Sequence, residues 1–203
     1  TLSGFRYTKE DFVCNDNVNT EIHYLNYWII KRGVSDITRR VTIRNMAGIS
    51  LYEATDSVDK AGGQKIDVKE ILADNSIKED KGSIEIEFFS KTNLFVAYPA
   101  LVVRYVGHDW HTFAHSSQRI LDTQSGDECS PSIGLANEGN ITIQAGTNVR
   151  AFVIIHNGKY HLEPSTIKLS IISKNGNKFD TESQAFSWRP FETRLIYLDE
   201  IFD

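Results

Sequence analysis

The sequence has little of what marks the specialised classes of protein. Its 203 residues include 2 cysteines, 4 prolines and 1 methionine. Cys14 and Cys129 do not have the spacing of a C-x-x-C or zinc motif, so a disulfide-rich scaffold is excluded and their pairing stays open. No apolar run approaches the roughly 18 residues of a membrane span, and no signal peptide is visible at the N-terminus. The composition indicates no compartment.

An excess of positive charge is also missing. The formal net charge is -5, and lysines and arginines are spread singly along the chain. The one basic cluster, Lys31-Arg32 with Arg39-Arg40, is short. Because nucleic-acid binding normally needs a basic patch or stripe, we expect no nucleic-acid partner.

Helical periodicity over ten or more residues is absent, whereas alternation typical of strands is frequent. The clearest case is segment 83–89, where Ile84, Ile86 and Phe88 share one face opposite Glu85 and Glu87. We interpret the two glutamates as a solvated outward pair. Similar runs occur at 22–30, 39–44, 65–71, 94–106, 166–173 and 194–198. The pattern predicts an all-β protein built as an antiparallel β-sandwich.

Three segments recur in similar form later in the chain. The matched pairs are 27–33 with 152–158, 41–45 with 169–173, and 66–72 with 196–202. This predicts an internal duplication that yields two related sandwich units. The strands near 84 and 94–106 have no second counterpart, so the second unit would be incomplete. Either the natural chain continues past Asp203, or another segment or chain completes the unit.

The duplication and the turn-rich stretches give the expected boundaries. We predict an N-terminal arm at 1–19, a first sandwich unit at 20–122 and a second at 140–203. Segment 123–139, rich in Ser, Gly, Asp and Asn, would be a linker or crossing loop.

The order of elements in Tyr27–Gly48, Lys65–Leu72 and Gly82–Tyr105 resembles the sensory rhodopsin transducer family. The resemblance lies in alternating strands, a charged hairpin, a short acidic-apolar ending and a Gly-Ser-Ile-Glu-Ile-Glu strand. It implies a small β-sandwich that assembles as an oligomer and acts as a binding or signalling adaptor rather than an enzyme. The chain departs from that family in its two copies and in the insertion between them.

The chemically richest segment is 104–119, which contains three of the six histidines. Its aromatic side chains offer flat apolar faces beside directional hydrogen-bonding groups, a combination that suits a sugar ring or a protein hot spot. We therefore predict a surface that binds protein or carbohydrate. The predicted ligand-binding residues are Arg104, Tyr105, His108, Asp109, Trp110, His111, His115, Gln118 and Arg119.

A metal site is the alternative for His108, His111 and His115. On a helix the three would share a face, but on a strand His111 and His115 would be roughly 13 Å apart at about 3.3 Å per residue. Common catalytic signatures, such as the Gly-x-Ser-x-Gly elbow and His-Glu-x-x-His, are absent. We expect no cofactor.

The leading hypothesis is a non-enzymatic binding or assembly module that forms a homo-oligomer. A metal-assisted hydrolase or isomerase using the histidines is the second hypothesis. The third is a structural subunit that assembles by strand exchange.

Overall fold

The computed structural model describes residues 4–92, 94, 101–115, 150–159, 161–183 and 185–200, with the backbone alone at 4–7 and 199. Strands dominate these residues, which confirms the all-β prediction. The chain divides into two compact units. The first comes from Thr1–Asn45 and Ile49–Leu135, and the second from Met46–Gly48 and Ala136–Asp203.

The described part of the first unit contains eight strands and two short helices. The strands are β1 (Gly4–Val13), β2 (Asn19–Leu25), β3 (Thr38–Asn45), β4 (Ser50–Ser57), β5 (Gly63–Asp67), β6 (Lys81–Ser90), β7 (Leu101–Val106) and β8 (His111–His115). The helices are α1 (Tyr27–Arg32) and α2 (Val68–Asp74). Neither these nor any other helix in the described ranges combines the length and apolarity needed to span a membrane.

Two four-stranded antiparallel sheets make up the described part of the first unit, in the orders β1-β6-β3-β4 and β5-β2-β7-β8. Apolar residues of both sheets belong to one core cluster, among them Ile22 of β2, Val103 of β7 and Ile84 of β6. The ring of Phe88 is fully buried and packs against Tyr24 at 5.3 Å and Trp28 at 4.8 Å between centroids. Two sheets that share a core in this way make a β-sandwich.

Helix α1 corrects the expectation that segment 22–30 is a single strand. Strand β2 ends at Leu25, and the side chain of Asn26 accepts a hydrogen bond from the backbone N–H of Ile29 at 3.4 Å. Gly33 ends the helix in the left-handed region, with φ of 63°. An N-cap and a glycine C-cap therefore outweigh the β-propensity of the apolar run between them.

The first unit begins before residue 20, in contrast to the predicted arm at 1–19. Strand β1 pairs antiparallel with β6 along its whole length, from Gly4 opposite Ser90 to Val13 opposite Lys81. Phe12 is 1% exposed and belongs to the core cluster, so this strand is part of the sandwich. The predicted linker 123–139, which includes Cys129, lies outside the described residues; Cys14 is buried.

Glu85 and Glu87 are buried, so the expectation of a solvated pair is wrong. Strand β6 lies between β1 and β3, whose cationic side chains cover this face. Lys9 Nζ lies 3.5 Å from one carboxylate oxygen of Glu85, and Arg44 Nε lies 3.1 Å from the other. Arg40 pairs with Glu87. Burial lowers the pKa of Lys9 to about 8, although the neighbouring Glu85 opposes this shift.

The described part of the second unit consists of three two-stranded antiparallel sheets and one 3-10 helix. The pairs are β9 with β14, β10 with β13, and β11 with β12. The elements are β9 (Phe152–His156), β10 (Leu162–Ser165), β11 (Lys168–Ile172), β12 (Lys178–Glu182), β13 (Phe186–Trp188), β14 (Thr193–Tyr197) and the 3-10 helix Leu198–Glu200.

The predicted duplication is not confirmed by these elements. Segments 41–45 and 169–173 both lie largely in strands, and segments 66–72 and 196–202 both begin in a strand that runs into a helical turn. Segments 27–33 and 152–158 differ, because the first forms α1 and the second forms β9. Two of the three matches agree in structure type, and the duplication stays a prediction.

Replacing the central core ring gives a direct test of the sandwich. We expect Phe88→Ala to lower the free energy of unfolding of the first unit by about 3–5 kcal/mol, because it leaves a cavity beside Tyr24 and Trp28. Phe113→Ala is the matched control, since the ring of Phe113 is 58% exposed and its loss leaves no cavity. Urea unfolding followed by tryptophan fluorescence measures both; equal effects of the two substitutions would contradict the described core.

Candidate functional site

The β7–β8 hairpin carries most of the predicted binding residues. Gly107 N–H donates to the carbonyl of Trp110 at 2.8 Å, which closes a turn with His108 and Asp109 at its exposed tip. A Cβ at Gly107 would lie 2.3 Å from the indole of Trp110. The indole therefore packs directly on the glycine, while 48% of Trp110 stays exposed. Glycine at this position allows the close approach.

The register of the hairpin decides which side chains share a face. Arg104 lies opposite Phe113, Val102 opposite His115 and Val106 opposite His111. Residues directly opposite each other in an antiparallel pair point to the same side of the sheet. Arg104, His111, Phe113 and His115 therefore lie together on the side away from the core. We call these four residues the outer-face cluster.

Tyr105 is separated from this cluster, although the sequence placed it in the same site. Its side chain points to the opposite side of β7, and its hydroxyl donates to Asp11 Oδ2 at 2.8 Å. Burial and the nearby Asp11 carboxylate raise the pKa of Tyr105. The prediction that Tyr105 contributes to a surface for ligands is not supported by this placement.

Glu21 of β2 holds Arg104 in position. Its carboxylate accepts from Arg104 Nη1 at 3.1 Å, lies 3.0 Å from His23 Nε2 and 3.4 Å from Lys65 Nζ. Burial alone would raise the pKa of Glu21, but these bonded and cationic neighbours hold it below its usual value. A carboxylate shared in this way stays ionised and orients the groups around it.

The outer-face cluster is aromatic as well as basic. The guanidinium of Arg104 lies 5.9 Å from the ring centroid of Phe113, within the range of a cation–π contact. The rings of His111 and Phe113 meet edge to face at 5.3 Å between centroids. All five residues of β8 are exposed. The cluster is thus an open platform, and Glu21 of the neighbouring strand β2 fixes its member Arg104.

The remaining predicted residues fall into two groups. His108 and Asp109 lie at the hairpin tip, and Gln118 and Arg119 lie outside the described residues. Within the described ranges, no group of three or more His, Cys, Asp or Glu side chains is placed to hold a metal ion. The proposed metal site of His108, His111 and His115 therefore has no geometric support in the described hairpin.

Sequence reasoning missed Glu21, His23 and Lys65 as members of this face. In β2, Thr20, Ile22 and Tyr24 are buried and the residues between them are not, so alternation indicates that Glu21 and His23 point outward. The pairing of β2 with β7 is what brings them to Arg104, and it joins positions 83 residues apart in the chain. No local pattern reveals such a pairing.

A second polar cluster lies along β1, near the end of β7. Thr8 donates its hydroxyl hydrogen to Glu10 at 2.8 Å, and burial raises the pKa of Glu10 to about 7. Burial also raises the pKa of Asp11, which accepts from Tyr105. Adjacent residues of a strand point to opposite sides, so the two carboxyl groups do not converge on one substrate. We regard this cluster as structural.

The second unit has an aromatic–arginine cluster of its own. The guanidinium of Arg194 lies 4.2 Å from the ring centroid of Phe186 and 4.8 Å from that of Trp188. Trp188 is 5% exposed, so its indole is not available to a ligand. The cluster therefore serves packing within the second unit.

Comparisons with known proteins leave the site to be judged on its geometry. No protein-family model matches the chain, and neither curated proteins nor solved structures give a significant match. The resemblance to the sensory rhodopsin transducer family therefore stays a prediction.

The raised pKa of Glu10 predicts a particular dependence of stability on pH. The folded protein binds this proton more tightly than the unfolded chain, whose carboxyl titrates near 4.5. The free energy of unfolding therefore falls as pH rises from about 4.5 to about 7, by up to about 3 kcal/mol. At pH 8 we expect the unfolding temperature of Glu10→Gln to be several degrees above that of the wild type. At pH 4.5 the two unfolding temperatures should be equal.

Thermal unfolding at the two pH values measures this effect. Glu53→Gln is the matched control, because Glu53 is exposed on β4. Its shift should be the same at both pH values. A Glu10→Gln shift that does not depend on pH would contradict the burial of a neutral carboxyl group.

Proposed function

We propose that the chain is a non-enzymatic binding module that holds a carbohydrate on the outer-face cluster. The observation that carries the proposal is the setting of Phe113. Its ring is 58% exposed on a sheet face, with imidazoles of His111 and His115 along the same strand and the guanidinium of Arg104 beside it. An apolar platform bordered by hydrogen-bonding groups matches a sugar ring, which has an apolar face and a polar rim.

The arrangement favours binding over catalysis. The only carboxylate that contacts the cluster, among the described residues, is Glu21, and it is engaged by Arg104, Lys65 and His23. Such a group is held ionised and is poorly suited to give or take a proton near neutral pH. The face is also open, whereas catalysis usually depends on excluding water from the reacting groups.

The ordering of Arg104 supports a binding role. A long flexible side chain loses rotamer entropy when a ligand fixes it, at a cost of about 0.5–1.5 kcal/mol. Here the ion pair with Glu21 at 3.1 Å and the ring of Phe113 already restrict the guanidinium. Most of this entropy is lost when the protein folds. A ligand that accepts hydrogen bonds from Arg104 therefore binds a preorganised side chain.

A glycan array followed by calorimetry with the best sugar tests the proposal. We expect the wild type to bind and Phe113→Ala to bind about tenfold more weakly, since a stacked ring is worth about 1 kcal/mol or somewhat more. Phe179→Ala is the matched control, because Phe179 of β12 is also 58% exposed but lies in the other unit. That variant should bind as the wild type does.

Two results would contradict the proposal. Folded wild-type protein that binds no sugar on the array rules out a carbohydrate and leaves a protein as the ligand class for this face. Sugar binding that Phe113→Ala leaves unchanged shows that the site lies elsewhere. Circular dichroism of each variant establishes that it is folded before its affinity is compared.

A further inference from the structure

Strand β8 differs from the other edge strands of the sandwich in having no charged residue. Among the described strands, the four edges of the two sheets are β1, β4, β5 and β8. Charged residues occur on the first three, for example Arg6 and Lys9 of β1, Glu53 and Asp56 of β4, and Lys65 and Asp67 of β5. Strand β8 reads His111-Thr112-Phe113-Ala114-His115, and each of its residues is exposed. Proteins commonly use charges, prolines or bulges to keep edges from pairing, and β8 has neither a charge nor a proline.

The backbone of β8 offers hydrogen bonds on its outer side. Gly107 N–H bonds the carbonyl of Trp110, so these two residues form a hydrogen-bonded pair. Such pairs alternate along an antiparallel ladder. Thr112 and Ala114 therefore bond to β7, while the N–H and C=O groups of His111, Phe113 and His115 point away from it. Among the described residues, no strand pairs with this side of β8.

We propose that β8 pairs antiparallel with β8 of a second copy of this chain, about a two-fold axis at Phe113. The strand reads nearly the same in both directions, which is what a two-fold strand pair requires. Phe113 then lies opposite Phe113 of the second copy, and His111 lies opposite His115. These are the three residues whose backbone groups point outward, so each of them makes its ladder hydrogen bonds.

The side chains fit this register on both faces of the joined sheet. On the outer face, phenyl meets phenyl and imidazole meets imidazole, which are aromatic cross-strand pairs. On the other face, Thr112 lies opposite Ala114 of the second copy, and both are small. The nearest charged group, Arg104, lies on β7 rather than on β8 and is paired with Glu21. No like charges therefore face each other across the axis.

The pairing does not depend on the proposed ligand, but it would affect how a ligand is held. Two four-stranded sheets would join into one, with both outer-face clusters on the same side. Two sites on one rigid surface bind a polymer more tightly than one site does. A contact through five residues is small beside a standard interface of about 1,600 Å², so we expect a dissociation constant in the micromolar range or weaker.

Charge complementation at position 113 tests the two-fold register. Sedimentation velocity without any sugar should show a concentration-dependent dimer for the wild type. Phe113→Lys and Phe113→Glu should each be monomeric, because like charges would face each other across the axis. An equimolar mixture of the two variants should dimerise again. Phe179→Lys, which alters an equally exposed phenylalanine of the other unit, should dimerise as the wild type does.

A second pair of variants tests the backbone contact and guards against misfolding of the charged ones. His115→Pro removes an N–H that points away from β7, so the hairpin should form while the dimer weakens at least tenfold. His115→Ala keeps the N–H and should retain the dimer. The proposal is overturned if the wild type stays monomeric at about 1 mM. It is also overturned if the dimer survives in Phe113→Lys, or if the mixture fails to dimerise. None of these results bears on sugar binding.

Discussion

The hydrophobic core of the first unit ends at β7, and this limit determines which surfaces the unit exposes. The core holds β7 through Leu101 and Val103, which are almost completely buried, but it does not extend to β8. Strand β8 is therefore a fourth strand attached to the sandwich by its ladder with β7. Among the described residues, nothing covers either face of β8 and no strand pairs with its outer edge. Both of our functional proposals use these surfaces, one the outer face and the other the edge.

The ion pairs of the two sheets have different consequences because they differ in exposure. On the sheet containing β6, Glu85 is 3% exposed and is compensated by Lys9 and Arg44, so this network fixes the packing of strands β1, β6 and β3. On the other sheet, the side chain of Glu21 is partly exposed and forms ion pairs with Arg104 and Lys65. Removing one partner of a buried pair is costly. A partly exposed network can instead present a cation such as Arg104 to solvent in a fixed position.

Much of the fold could be predicted from alternation alone, and the failures have identifiable physical causes. Ile84, Ile86 and Phe88 point to the core as their spacing indicates. Segment 27–32 is helical because Asn26 and Gly33 cap it, an effect of two residues that an apolar run conceals. The burial of Glu87 depends on which strands flank β6, and strand order is not contained in a local pattern.

The candidate site was predictable only in part, because some of its residues are neighbours in sequence and others come from a distant strand. A hairpin keeps neighbours in sequence together in space, and the β7–β8 hairpin places Arg104, His111 and His115 on one face of the sheet. Alternation assigns Tyr105 to the opposite face, a consequence that residue composition does not show. The contribution of Glu21 comes from another strand and required the sheet pairing to be known.

Residue-resolved amide hydrogen exchange along β8 tests most directly the claim that this strand is ordered yet open at its edge. In dilute protein we expect the amides of Thr112 and Ala114 to be protected by β7, and those of His111, Phe113 and His115 to exchange near the rate of an unfolded chain. Equal rapid exchange at all five positions would contradict an ordered strand. Protection of the Phe113 amide in dilute protein would contradict an open edge.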